Sequence, residues 1–312
     1  MTETIYDVII VGAGPAGLTA GIYTSRAKLQ TLILNEGTVG GQLVLTHEIA
    51  NYPGVGSMSG YQLATTMKNQ AQSFGCEIKA NVNVTGYDFT ANPKKVEINS
   101  KEAFYGKTII LAPGGLPRML NIPGENEFKG KGVSYCATCD GDFFTGKEII
   151  VVGGGNSALE EAVSLTKYAS KVTIVHQFDH FQAFPHAILE ARSNPKIQLI
   201  MESELREISG NESVNQVRIE NLTSCKIIEA KTDGVFIFIG YIANTKGVEG
   251  HITLNKNSEI LTDNDMHTNV PGVFAAGDCI AKRYRQVTTA VSDGTIAALN
   301  AIEFIRIQQN VN

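Results

Sequence analysis

Cysteine is scarce in this sequence, and so are long apolar runs and blocks of like charge. Of the five cysteines only Cys136 and Cys139 lie close together, which argues against a secreted disulfide framework. No segment approaches the ~20 consecutive apolar residues that cross a bilayer, and the N-terminal MTETIYDVIIVGAG lacks the basic region of a signal peptide. A net charge of −5, with both signs scattered, argues against a nucleic-acid partner. We expect a soluble cytoplasmic protein that binds neither nucleic acid nor membrane.

Two glycine-rich turns, by contrast, each follow a continuous apolar run. The first run (7–11) leads into GAGPAG (12–17), a helix and a second apolar strand (29–34). The pattern recurs at 148–176, where GGGNSA (153–158) supplies two glycines and an alanine at the three glycine positions. Each segment therefore predicts the βαβ unit of a nucleotide-binding domain.

A chain of 312 residues with 43% hydrophobic content is long enough for two such domains. We predict an α/β fold with two Rossmann-like three-layer domains, the second inserted into the first. The first domain comprises 1–113 and 243–312, and the second comprises 114–242. Further strands and a final helix are predicted at 96–99, 108–112, 233–241, 272–278 and 288–307.

The GAGPAG turn carries the chemistry of phosphate binding. Its glycines permit a tight turn and a close approach of the backbone to a pyrophosphate, which faces the positive end of the helix. Glu36 follows Gly17 by 19 residues, at the end of the second predicted strand, where a carboxylate accepts hydrogen bonds from ribose hydroxyls. The alternative is a purely structural glycine turn, but strand, helix, second strand and acid are all in place.

The close cysteine pair lies in the segment CATCD (136–140). A structural zinc site needs a second ligand pair, and no CxxC or HxxxH partner is present, so we expect no metal. Two packed thiols remain an alternative. We favour a redox-active dithiol, because two sulfurs at this spacing can close a small loop, and the CxxC spacing often lowers a thiolate pKa. Asp140 adjoins the pair and is a candidate proton donor to the departing thiolate.

Asp278 ends the apolar run GVFAAGD (272–278). A carboxylate at the carboxyl end of a strand suits the hydroxyls of a polyol, whereas the structural alternative is a turn or helix-capping aspartate. We expect Cys279 to be a packed thiol.

Short motifs spread along the whole chain carry a resemblance to one enzyme family. They are GAGPAG, GGQL (40–43), NYPG (51–54), IPGE (122–125), CATCD, GGGNSALEEA (153–162), GVFIFIGY (234–241), GVFAAGD and YRQVTTA (284–290). In combination they resemble the low-molecular-weight thioredoxin reductases. The resemblance implies FAD- and NAD(P)-type domains in a homodimeric FAD enzyme whose protein partner is thioredoxin.

The resemblance also assigns roles to residues. Cys139 faces the flavin, Cys136 attacks thioredoxin, and Asp140 donates the proton. Asp278 holds the ribityl chain of FAD. The cofactor-binding set that the resemblance implies is Gly12, Gly14, Pro15, Ala16, Gly17, Glu36, Gly40, Gly41, Gln42, Asn51, Val84, Asp278, Arg285, Gln286 and Val287.

The segment HQFDHFQ (176–182) departs from the family pattern, which has arginines that bind the 2′-phosphate of NADPH. Gln177, Phe178 and Gln182 stand at the three arginine positions. Guanidinium groups make bidentate charge-assisted bonds to phosphate, which glutamine and phenylalanine cannot replace. Other departures are Pro113, Asn156, Tyr241 and Ala243.

Because it lacks these arginines, the sequence resembles the ferredoxin-dependent flavin thioredoxin reductases, a subfamily without NADPH determinants. We therefore favour reduced ferredoxin as the electron donor, since flavin handles one- and two-electron steps. The chain has no Cys₄ cluster pattern of its own, so the donor is a separate protein. Two alternatives remain open: NAD(P)H bound through other contacts, and a non-catalytic flavin redox sensor.

The phenylalanines of this segment are expected to form a packing stripe. Phe178, Phe181 and Phe184 recur at i, i+3 and i+6, a spacing typical of one helix face. The alternative is that these aromatic side chains fill the empty nicotinamide-nucleotide cleft or form a contact with another protein. The joins near 114–115, which are both glycine, and near 241–244 are candidate hinges between the domains.

Overall fold

The computed structural model describes residues 4–46, 49, 51–135 and 137–311. The chain forms two compact units, Met1–Leu116 with Ile242–Asn312, and Pro117–Tyr241. The second unit is thus an insertion in the sequence of the first. No helix in the described part of the chain is both long enough and apolar enough to cross a membrane.

Strands and helices alternate over 5–80 and 137–200, and a run of consecutive strands follows each of these stretches. The first segment contains β1 (Ile5–Val11), α1 (Pro15–Arg26), β2 (Thr31–Asn35), α2 (Gly60–Ser73), β3 (Glu77–Ala80), β4 (Val84–Asp88), β5 (Lys94–Ile98) and β6 (Glu102–Leu111). The central segment contains β7 (Gly115–Pro117), β8 (Val133–Ser134), α3 (Ala137–Asp140), β9 (Glu148–Val152), α4 (Asn156–Leu165), β10 (Lys171–Val175), α5 (Pro185–Ser193), β11 (Ile197–Ile200), β12 (Ser203–Gly210), β13 (Val214–Asn221), β14 (Ile227–Lys231) and β15 (Gly234–Ile237). The last segment contains β16 (Tyr241–Ala243), β17 (Val273–Ala275) and α6 (Val287–Val311).

The first unit is organised around a parallel sheet in the order β3-β2-β1-β6, with β17 parallel to the end of β6. Strand β5 pairs antiparallel with the first half of β6, and β4 pairs antiparallel with β5 at the edge of the sheet. The central strands are continuous apolar runs because both of their faces are covered; Ile9, Ile33 and Ile110 are all fully buried. The carboxyl ends of the parallel strands meet at one edge, where ligands bind in this class of fold.

Local sequence sets the helix boundaries of the first unit. Pro15 is the first residue of α1, a position where its missing N–H costs nothing. The chain leaves this helix through Lys28, whose φ of +64° is left-handed. In α2 the Ser59 side chain accepts from Gln62 N–H, and the Gln62 side chain accepts from Ser59 N–H, a reciprocal capping box.

The second unit repeats this architecture on a smaller scale. Its parallel sheet has the order β11-β10-β9-β15-β8, and a three-stranded antiparallel sheet, β12-β13-β14, accompanies it. Helix α4 packs through Ala158, Leu159 and Ala162 into one apolar cluster. The predicted α/β fold with two Rossmann-like units is confirmed. The joining strands β7 and β16 pair as a two-stranded sheet.

Candidate active site

The first glycine turn (12–17) leaves a helix N-terminus open at the carboxyl edge of the first unit's sheet. Gly12 has a φ of +102°, and a Cβ built there lies 2.1 Å from Ala112 O, so the turn presses against the chain beyond β6. A Cβ built at Gly17 would lie 1.9 Å from Gly12 O, so only glycine lets the first turn of α1 pack this close to the backbone of Gly12. At Gly14 a Cβ meets no described atom within 4 Å, and the helix has no side-chain cap. This open, positive N-terminus fits an anionic pyrophosphate.

Asn35, the last residue of β2, holds the turn in place, although no sequence motif singled it out. Its Oδ1 accepts from Ala13 N–H at 2.8 Å. Its Nδ2 donates to the backbone oxygens of Glu36, Gly37 and Thr38 at 3.1, 3.0 and 3.2 Å. One buried amide therefore ties the glycine turn to the loop that carries Glu36. The signal available in the sequence was a polar residue closing the apolar strand TLILN.

Asn35→Ala is expected to lower the free energy of unfolding by about 1–3 kcal/mol, because it leaves the buried Ala13 N–H without its partner and removes three partly buried bonds to the 36–38 loop. Urea denaturation of the variant measures this loss. Asn83→Ala, which truncates an exposed asparagine of the same unit, is the matched control. Equal midpoints for the two variants would refute a bracing role for Asn35.

The GGQL loop lies directly against the glycine turn. Gly40 N–H donates to Ala13 O at 2.8 Å. Gly40 and Gly41 have φ values of +119° and +58°, and a Cβ at Gly41 lies 3.2 Å from the Cα of Gly14. Gln42 Nε2 donates to the backbone oxygen of residue 115 at 3.3 Å. The structure thus brings three of the predicted FAD residues to one edge of the sheet.

Two more predicted FAD residues meet across a long stretch of sequence. Asn51 Nδ2 donates to Gln286 Oε1 at 3.3 Å, although the residues are 235 positions apart. Arg285 forms an ion pair with Glu259, a partly buried carboxylate that no motif identified. Val287 begins α6. The start of this helix therefore lies beside the NYPG segment.

Asp278 has the open acceptor that a polyol site requires. Its Oδ1 is buried and has no hydrogen-bond donor among the described residues. Lys282 Nζ lies 3.5 Å away, at the outer limit of a hydrogen bond, so this contact is mainly electrostatic. Burial raises the pKa of the Asp278 carboxyl, and the nearby cations Lys282 and Arg285 lower it. A buried acceptor without a donor fits a ligand hydroxyl.

The remaining predicted FAD residues occupy less distinctive positions. Pro15 and Ala16 form the start of α1, and Ala16 is buried. Glu36 is exposed at the carboxyl end of β2. Val84 begins β4 and packs against the core of the first unit. Val82, two residues earlier, donates its N–H to Asn35 O at 3.1 Å, so this segment runs past the end of β2.

The cysteine motif follows β8 in the second unit. Cys136 lies outside the described residues, and the Cys139 backbone belongs to α3. Asp140 ends this short helix, and its Oδ2 accepts from the hydroxyl of Ser134 at 2.6 Å. Ala137 anchors the helix in the apolar cluster of α4. No group of three His, Cys, Asp or Glu residues suited to a metal ion occurs among the described positions.

The second glycine turn is covered by the ring of His176. A Cβ at Gly154 would lie 2.4 Å from three atoms of this ring, so only glycine fits beneath it. The imidazole is 5% exposed, and its Nε2 donates to His180 O at 3.1 Å. Burial lowers the pKa of His176, so the ring is neutral near pH 7. His176 therefore supplies no positive charge to the turn.

The chain after His176 folds back onto the same turn. Gln182 N–H donates to Gly154 O at 2.8 Å, and Phe184 N–H donates to Asn156 Oδ1 at 2.7 Å. Asn156, a departure from the family pattern, thus fastens the returning loop.

The predicted phenylalanine stripe is wrong for two of its three members. Phe181 is buried at 8% exposure, but Phe178 and Phe184 are exposed at 39% and 51%. The reason is that this segment is a loop, and α5 begins only at Pro185, so a helical spacing does not define one face. Phe178 stacks on His180, and Phe184 stacks on His186, with ring centroids 6.1 and 6.0 Å apart.

A pyridine nucleotide-disulphide oxidoreductase family model matches residues 6–294, and the chain belongs to this family. Within it the chain is a thioredoxin reductase of the low-molecular-weight type, a class that uses FAD. Thioredoxin reductase of Peptoclostridium acidaminophilum is 44% identical over 97% of this chain and 98% of its own length.

Solved structures agree with this assignment. The crystal structure of Lactococcus lactis thioredoxin reductase shares 40% identity with a TM-score of 0.93, and covers 96% of this chain and 99% of that chain. A ferredoxin-flavin thioredoxin reductase from Clostridium acetobutylicum shares 30% identity with a TM-score of 0.53, and covers 97% of this chain and 99% of that chain. The predicted family, enzyme class and FAD cofactor are confirmed.

Proposed function

We propose that this enzyme reduces thioredoxin through a Cys136–Cys139 disulfide and takes its electrons from reduced ferredoxin rather than from NADPH. The choice of ferredoxin over NADPH rests on the segment 176–186, which contains no lysine and no arginine. A 2′-phosphate needs charge-assisted donors, each contributing about 1.5–3 kcal/mol. A neutral His176 and a glutamine at two of the three arginine positions supply none of that charge.

The loop geometry supports the same interpretation. Asp179 and His180 pair with each other at 2.6 Å on the exposed tip, so the only carboxylate of this loop is already engaged. Phe178, at the third arginine position, presents an exposed ring instead of donors. A nucleotide phosphate would meet one phenyl ring and two neutral amides where the family has guanidinium groups.

The chemistry at the cysteine motif follows from thiol–disulfide exchange. The Cys136 thiolate attacks the thioredoxin disulfide, Cys139 then closes the Cys136–Cys139 disulfide, and two electrons pass to thioredoxin. Asp140 supplies a proton to the departing thiolate, and the Ser134 hydroxyl orients its carboxylate. When bound, FAD supplies the conversion between single electrons and electron pairs.

The residues around the first glycine turn are proposed to bind FAD. The α1 N-terminus takes the pyrophosphate, Glu36 and Asp278 accept hydrogen bonds from hydroxyls, and the start of α6 meets the ring system. The contact between Asn51 and Gln286 supports a common role for the two segments. We extend the proposal to a homodimer, as the family resemblance implies, and to a cytoplasmic location, as the sequence predicts.

An NAD(P)H-dependent thioredoxin reductase is the second candidate. Two observations favour it. The relatives that are 44% and 40% identical to this chain are named thioredoxin reductases. The second glycine turn also keeps, at α4, a helix N-terminus without a side-chain cap. This candidate requires nucleotide contacts other than those of the arginine positions.

Steady-state turnover with thioredoxin distinguishes the two candidates. We expect reduced ferredoxin to support turnover, and NADPH and NADH to give rates at background, because the charged contacts are missing. The assay follows thioredoxin dithiol formation anaerobically with each donor at equal reducing equivalents. Comparable turnover with NADPH would favour the second candidate.

A further inference from the structure

A buried lysine links two carboxylates beside the proposed FAD site. Lys282 Nζ donates to Asp293 Oδ2 at 2.6 Å and lies 3.5 Å from Asp278 Oδ1. The Lys282 side chain is only 13% exposed, and that of Asp293 is 12% exposed. We call Asp278, Lys282 and Asp293 the lysine cluster.

The backbone around the lysine cluster is fixed by close packing. Gly277 N–H donates to Asp293 Oδ2 at 3.2 Å, so the same carboxylate oxygen holds both the turn and the ammonium. Gly277 has a φ of +83°, and a Cβ at Gly294 would lie 2.1 Å from Ala16 O. Helix α6 therefore lies directly against the first turn of α1. The lysine cluster is held at the edge where the glycine turn is open.

The charges that face Asp278 leave Lys282 as its main cation. Arg285 also lowers the pKa of Asp278, but its guanidinium is paired with Glu259. Asp293 acts in the opposite direction and raises the pKa of Asp278. From α1 the neighbour is uncharged Ala16, and burial raises the pKa of the Cys279 thiol to about 12, so it stays neutral.

We propose that Lys282 is a positioning residue for FAD, because its ammonium holds the Asp278 carboxylate charged and leaves Oδ1 free to accept a ribityl hydroxyl. This inference rests on the proposed placement of FAD at Asp278. Without the ammonium, two neighbouring carboxylates share one partly buried environment, which favours protonation of one of them. A protonated Asp278 loses the charge-assisted bond to the hydroxyl.

Lys282→Met is expected to weaken FAD binding roughly tenfold at about pH 7, with the loss shrinking toward about pH 9. The direction of this pH dependence follows from the raised pKa of Asp278. Below that pKa the carboxyl group is neutral, and above it the negative charge of the acceptor returns. The measurement is the dissociation constant of FAD from the apoprotein by flavin fluorescence, across this pH range. Lys282→Arg keeps the charge and is expected to restore affinity, and Lys256→Met, at an exposed lysine, controls for net charge.

Two further variants separate the possible failures. Asp278→Asn alone should weaken FAD binding, and adding Lys282→Met to it should cost nothing more, because the lysine acts through Asp278. If Asp278→Asn binds FAD normally, the placement of FAD at Asp278 is wrong. If Asp278→Asn weakens binding but Lys282→Met does not, or weakens it equally at all pH values, only the role of Lys282 is overturned. Should the methionine variant fail to fold, Lys282→Gln makes the same test.

Discussion

Cys139→Ser is expected to abolish thioredoxin reduction while FAD stays bound. A serine hydroxyl cannot form the disulfide that exchanges electrons with thioredoxin, so turnover should fall on the order of a thousandfold or more. The FAD residues of the first unit are untouched by this change, and the flavin spectrum should persist. Anaerobic turnover and flavin absorbance of the same preparation measure both outcomes.

The matched control is Cys225→Ser, which removes an exposed thiol from the same unit. We expect this variant to retain full turnover. Activity of the Cys139 variant within a few-fold of the parent enzyme would contradict the disulfide assignment. Equal losses in both variants would indicate a general effect of cysteine removal.

Restoring the arginines is expected to confer NADPH binding. In the variant Gln177→Arg/Phe178→Arg/Gln182→Arg, two charge-assisted bonds to the 2′-phosphate would tighten NADPH binding by at least about 100-fold. NADH, which lacks that phosphate, should gain little. All three positions are exposed, so arginine can be accommodated without repacking the core. Isothermal titration with both nucleotides measures the difference.

The triple methionine variant at the same positions is the control, because it changes size and flexibility without adding charge. Equal NADPH affinity in the arginine and methionine variants would show that charge at these positions is not what the nucleotide site lacks. A gain for NADH as large as for NADPH would show that the arginines do not act through the 2′-phosphate.

The backbone architecture could be predicted where local pattern and packing agree. Continuous apolar runs predicted the strands β1 and β17, and a glycine after each run predicted the turn that follows. The predicted terminal helix at 288–307 corresponds to α6, Val287–Val311. These elements are encoded locally, because a buried parallel strand must be apolar on both faces.

The supporting contacts of the site could not be predicted from motifs. Asn35 accepts a hydrogen bond from Ala13, and Glu259 and Lys282 form ion pairs with Arg285 and Asp293. In each case the tertiary fold, and not the local sequence, determines which residue is the partner. The phenylalanine stripe failed for a related reason. A spacing of three residues indicates one face only in a helix, and the chain between β10 and α5 is a loop held by backbone bonds to the second glycine turn.

Anaerobic reduction of the enzyme-bound flavin tests the choice of electron donor most directly. The bound FAD is mixed with stoichiometric NADPH in one experiment and with reduced ferredoxin in another, and its absorbance is followed. We expect bleaching by ferredoxin and an unchanged spectrum with NADPH, because the segment 176–186 offers the 2′-phosphate no lysine or arginine. Rapid bleaching by NADPH would contradict the proposal.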